Sequence, residues 1–153
     1  MEARQTFKKA ESIIDKILDI KPNQDRWAIK GSMHKRWAMI EAKTQQLVQL
    51  KKMVHAYKSG YEFGIAMKSD SAFYPLQNLV AANIVLAWSV SPKSKDKLSK
   101  KQMKSLFTEL KSFMQQYTVG DTDFWTMVQK PDFQLLEVLN RGNIGKEEEE
   151  DII

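Results

Sequence analysis

Catalysis needs nucleophiles, acids, bases or metal ligands held at short spacing, and this chain of 153 residues offers few of them. Its two histidines, His34 and His55, each lack a second His one helical turn away, and the chain has no cysteine. Neither therefore has the partners a tetrahedral metal site requires, and their ordinary roles are packing or surface ones. No Gly-x-Ser-x-Gly turn or comparable device presents a nucleophile. The six glycines stand apart at positions 31, 60, 64, 120, 142 and 145, so they build no phosphate-cradling loop. Asp121 and Asp123, two apart at a helix start, suit capping of the helix and its dipole. These residues predict no enzyme, no metal and no cofactor.

What is concentrated is positive charge. Between Ser91 and Lys104 stand Pro92 and six lysines, Lys93, Lys95, Lys97, Lys100, Lys101 and Lys104. Such a stretch is either a solvated linker or a contact for phosphate or an acidic segment. It holds no aromatic residue, which argues against a platform for stacking single-stranded bases. The formal net charge of +5 hides an asymmetry: residues 143 to 153 carry net −4, and residues 1 to 142 net +9. A basic body with an acidic tail points to an acidic partner, whether a peptide, a nucleic acid or the tail itself folded over the lysines.

The elements that must position these charges read as helices. The stretch from Trp27 to Ala42 places Trp27, Met33, Trp37 and Ile40 near helical spacing, and Gly31, one turn after Trp27, opens room for another helix to come close. Before it, residues 2 to 20 carry Phe7, Ala10, Ile13, Ile14, Ile17 and Leu18 as a buried stripe, ended by Lys21-Pro22, with Asn23 or Asp25 to cap the second helix. A third helix is expected from about Thr44 to Met67, whose small residues Ala56, Gly60 and Gly64 admit close packing. After the Ser69-Asp70-Ser71 turn, a fourth from about Tyr74 to Trp88 is apolar nearly all round and must be buried on several sides, with Asn78 and Asn83 as ties between helices. Ser99 caps a fifth from about Lys100 to Tyr117, ended by Gly120. Asp121 or Thr122 caps a sixth segment through Leu139, which Pro131 should kink or split. The four tryptophans, Trp27, Trp37, Trp88 and Trp125, sit among apolar neighbours and are expected in the core.

The expected fold is all-α, with about six antiparallel helices. Ala10-x-x-x-Ile14-x-x-Ile17-x-x-x-x-Pro22 has the spacing of a second helix of a tetratricopeptide repeat, and Trp27-x-x-x-Gly31 resembles the start of the next repeat. Gly31-Ser-Met-His-Lys-Arg, Ala56-Tyr-Lys-Ser-Gly-Tyr-Glu, Tyr74-Pro-Leu-Gln-Asn and Asp123-Phe-Trp followed by Leu135-Leu136 complete the order. Over roughly residues 10 to 142 the chain resembles the divergent tetratricopeptide-type segment of large multidomain bacterial proteins, including some with caspase-like CHAT protease domains. No protease or nucleotide-binding part accompanies it here.

That resemblance implies a helical-hairpin array in which Ala28, Ser32 and Lys35 turn toward a concave surface, with Lys35 and Arg36 favouring an acidic peptide. The expected organisation is a helical domain over 1 to 142 and an acidic tail over 143 to 153. The expected function is a non-catalytic protein interaction or scaffold module, an adaptor or regulatory part of a larger assembly. The alternative is a small basic helical subunit lying along RNA or DNA. In either case the partner-binding candidates are Ser32, Lys35, Arg36 and the lysines Lys93, Lys95, Lys97, Lys100, Lys101 and Lys104. With no apolar run near the length of a signal core or of a span of about 18 residues, a cytoplasmic chain without membrane contact is expected.

Overall fold

A computed structural model of the chain describes residues 2–69, 72–117 and 124–142, with side chains at all of these except 116–117 and 124–128. The residues at 70 and 71, Gly120, the caps at Asp121 or Thr122, the side chain of Trp125 and the acidic tail lie outside the described residues. Six helices are present: α1 Glu2–Ile20, α2 Gln24–Ile40, α3 Lys43–Ala66, α4 Phe73–Ser89, α5 Lys100–Tyr117 and α6 Phe124–Arg141. No strand occurs among the described residues.

The start of α2 falls three residues before Trp27 because Asn23 is its cap: Asn23 Oδ1 accepts from the amide of Arg26 at 2.8 Å. The cap of α5 forms as its sequence predicts. Ser99 Oγ accepts from the Gln102 amide at 3.2 Å while Gln102 Oε1 accepts from the Ser99 amide at 2.9 Å, a reciprocal capping box. Pro131 does not divide α6, which runs through it as one continuous helix. Its ring is exposed, so the helix gives up one backbone bond without meeting a neighbour.

The pair α2 and α3 forms the tightest hairpin of the fold, and α4 packs on α3. Gly31 is where the hairpin closes: a Cβ there would stand 2.8 Å from Tyr57 Cδ1, so only hydrogen lets the Tyr57 ring lie against the backbone of α2. Gly64 does the same for the start of α4, with Ala72 Cβ 2.8 Å from the position a Cβ would take.

Two apolar clusters share α4. One joins Ala28 and Ala38 of α2 and Leu50, Met53 and Tyr57 of α3 to Leu79, Ala82 and Leu86. The other joins Phe73, Leu76, Val80 and Ile84 to Met103 and Leu110 of α5 and Leu136 of α6. A helix with a core on each side must be apolar nearly all round, which accounts for its composition. Asn83 and Asn78 do not tie helices together. Each donates its side-chain amide back to its own helix, to the carbonyls of Leu79 at 2.8 Å and Tyr74 at 2.9 Å. This local bond satisfies a buried Asn83 without a partner helix.

Polar contacts pin α1 as much as apolar ones do. Ile14 and Leu18 are buried and Phe7 stacks on Trp37 at 5.6 Å, but Ile13 is 59% exposed and Ile17 37%. The expected six-residue stripe is thus only partly covered, because among the described residues α1 packs chiefly against α2. Arg4 pairs with Glu41 at 2.8 Å, Asp15 with Lys30 at 2.5 Å and Glu11 with Lys52 at 2.7 Å. The buried Glu41 also accepts from Trp37 Nε1 at 3.0 Å, so one carboxylate closes the end of α2 against both α1 and its own indole.

Candidate functional site

A groove of about 330 Å³ opens between α2 and α4, with α3 as its floor. Leu50, Met53, Tyr57 and Ala82 supply its apolar base, Met39 and Val85 its walls, and Lys35, Gln46, Asn78 and Ser89 its polar rim. The walls are open to a partner: Met39 is 77% exposed and Val85 41%. Large apolar groups held in water around a concavity mark a binding surface more often than stray exposure does.

The polar atoms around this groove are set by packing. Tyr57 is buried to 1% exposure, which pushes its hydroxyl up to about 12, and that hydroxyl has no partner in hydrogen-bonding geometry among the described residues. Ser32 and the cation of Arg36, both nearby, offset only part of the shift. The hydroxyl itself is closed off from solvent, so Tyr57 serves the groove through its ring and not through its oxygen. Asn78 uses its amide N–H on Tyr74 and leaves its carbonyl oxygen for other contacts. Gln46 Nε2 donates to the Ala38 carbonyl at 3.2 Å, satisfying the last turn of α2 at the groove edge.

The residues expected from sequence fall in different places. Lys35 is exposed and lines the groove. Arg36, also exposed, turns back along α2 and donates to Ser32 Oγ at 2.7 Å, so Ser32 and Arg36 hold each other beside the groove. Ala28 is buried in the core. Of the six lysines, Lys97, Lys100 and Lys104 line a second cavity, of about 540 Å³, between α4, α5 and α6, while Lys93, Lys95 and Lys101 are exposed outside it. The segment before α5 is folded into turns, with the Ser94 amide on the Ser91 carbonyl at 2.9 Å. It is anchored to α3 by Lys51 and Asp96 at 2.7 Å, and the Lys51 ammonium holds the Asp96 carboxyl below the usual carboxylate range. It is therefore a structured connection and not a loose linker.

His34 is fully buried, as its packing role requires, and its Nδ1 lies 2.9 Å from Gln49 Oε1. Its Nε2 has no hydrogen-bond partner among the described residues and sits 3.6 Å from Glu11 Oε1. Burial lowers its pKa, against the opposing pull of Gln49 and Glu11. His55 is exposed and meets Trp27 edge-on at 6.2 Å. Among the described residues no group of three His, Cys, Asp or Glu could hold a metal ion, and no helix is long and apolar enough to cross a membrane.

A family model described as Tetratricopeptide Repeats-Sensor, TPR-S, matches residues 1–83, more than half of the chain. The chain belongs to the TPR-S family. The match covers α1 to α3 and most of α4, and so takes in all of the groove's lining but Val85 and Ser89. No curated protein and no solved structure matches the chain. Within the matched region α2 and α4 flank the groove and α3 lies between them.

Sequence reasoning missed Met39, Tyr57 and Val85 as groove residues, and Trp88 as an exposed one. Met39 carried a weak signal, since it falls off the expected stripe of Trp27, Met33, Trp37 and Ile40, although Ile40 of that stripe is itself 46% exposed. Trp88 carried little, standing at the end of a helix that is apolar on every face.

Proposed function

We propose that this chain is a peptide-binding interaction module, non-catalytic, whose α2–α4 groove takes an apolar segment of a partner protein bearing an acidic residue. The observation that carries this reading is the groove's make-up: an apolar floor, exposed Met39 and Val85, and Lys35 at the rim. The apolar contacts supply most of the affinity, and Lys35 selects an acidic neighbour and makes association sensitive to salt. The side-chain carbonyl of Asn78, whose amide is used within its own helix, gives a peptide backbone a place to bond. TPR-type membership supports protein partners, and an adaptor or regulatory place in a larger assembly suits a module that binds without reacting.

The test is selection of a random displayed peptide library on the intact chain and on Lys35→Glu. The wild type should enrich apolar sequences carrying Asp or Glu, and Lys35→Glu should lose or invert that preference. The same enrichment from both proteins, or none from either, would refute this reading.

A further inference from the structure

The second cavity, on the other side of α4 from the groove, is the more highly charged of the two. Lys97, Lys100, Lys104 and Arg141 surround it against the single carboxylate of Glu137. None of these four cations takes part in an ion pair among the described residues, where the pairs join other residues. Four like charges gathered on one concavity with only Glu137 against them repel one another, and an anion placed among them relieves that repulsion. The opening turn of α5 adds to the same field. Ser99 satisfies the amides of Gln102 and Met103, while those of Lys100 and Lys101, at the positive end of the helix, have no acceptor within it.

Charge alone would suit any anion. Trp88 narrows the class: it lines this cavity and is 56% exposed, a large ring left in water beside the cations. Below it Ile84, Met103 and Phe107 make an apolar floor. The volume of about 540 Å³ lies in the range of sites for small molecules. A bowl of this size with a ring on one wall and cations around the rim fits one flat group and its phosphates, whereas an extended nucleic-acid strand needs a continuous basic track.

We propose that the α4–α5–α6 cavity binds a phosphorylated small molecule with a flat ring, of the chemical class of a nucleotide, with its ring against Trp88 and its phosphates on Lys97, Lys100, Lys104 and Arg141. This site is separate from the peptide groove and does not depend on it.

The experiment is calorimetric titration of the full chain with ATP, AMP, adenosine and inorganic triphosphate at low and at high salt. ATP should bind more tightly than AMP or adenosine, and more weakly as salt rises. Lys100→Glu with Lys104→Glu should weaken ATP by about tenfold or more, the loss of one or more charge-assisted contacts. Lys8→Glu, on the exposed face of α1, should leave it unchanged. Trp88→Ala should weaken ATP and leave inorganic triphosphate unaffected, with Trp88→Phe retaining ATP. The lysine substitutions lie on exposed positions and keep the test open if Trp88→Ala folds poorly. Absence of nucleotide binding at low salt, ATP affinity indifferent to the Lys100 and Lys104 changes, or equal binding of ATP and triphosphate with no effect of Trp88→Phe or Trp88→Ala would each overturn the proposal.

Discussion

Replacing Gly31 tests the closest approach in the fold. In Gly31→Ala the new Cβ would meet Cδ1 and Cε1 of Tyr57 at 2.8 Å and Cζ at 2.9 Å, closer than carbon atoms pack without displacement. Tyr57 is 1% exposed and cannot swing into solvent, so the helices must part or the ring must leave its place. Overpacking of this kind costs about 1 to 3 kcal/mol, while exchanging Gly for Ala inside a helix returns about 1 kcal/mol. The net is a loss of about 0 to 2 kcal/mol for Ala. Gly31→Val adds two further methyl groups and lacks most of the propensity gain, so its loss should exceed that of Ala. For a domain of this length 1 kcal/mol corresponds to about 2 to 4 °C in Tm. The assay is thermal unfolding of both variants, alone and combined with Tyr57→Leu, which removes the ring. The combined variants should lose less than the sum of the single changes, since they share one contact. A Gly31→Val protein as stable as the wild type would refute the close packing of α2 on α3.

Other expectations rest on single contacts. Glu41→Ala leaves the buried indole N–H of Trp37 unpaired and frees Arg4, and should cost about 1 to 3 kcal/mol by chemical denaturation, more than Glu41→Gln. Pro131→Ala restores an amide within a continuous helix at an exposed position, and should raise stability by about 1 to 3 kcal/mol in the same assay. The lowered pKa of His34 means that the unfolded chain binds a proton more readily than the folded one. Its contribution is therefore complete above about pH 6.5 and is lost as pH falls from there toward the folded pKa. In thermal melts, His34→Gln should lose less stability than the wild type between neutral pH and about pH 5.5, and an equal loss would contradict the shift.

The helices were legible because each carries its own signals. Asn23, Ser99 and the Pro22 stop are local chemistry, and α1 and α5 begin and end as their residues predict. Gly31 signals a close approach whatever its neighbour proves to be. What the sequence could not show is which faces find a partner. Ile13 and Ile17 fit the apolar spacing of α1 as well as Ile14 and Leu18 do, yet only the latter pair is buried, because coverage depends on where α2 lies. Pro131 reads as a break because propensity is local, but its ring is exposed and α6 continues through it to carry Leu136 into the second cluster. The groove was legible in one residue, Lys35. Met39, Tyr57 and Val85 come from three helices, and their meeting is a property of the array and not of any one stretch.

The most direct test of the groove is amide chemical-shift mapping of the intact chain with a peptide selected on it. The shifts should cluster on Lys35, Met39, Asn78 and Val85, and Val85→Glu should abolish them while the helices remain folded. Shifts centred on the exposed Ile13 and Ile17 face of α1, or unchanged by Val85→Glu, would contradict the assignment of peptide binding to the α2–α4 groove.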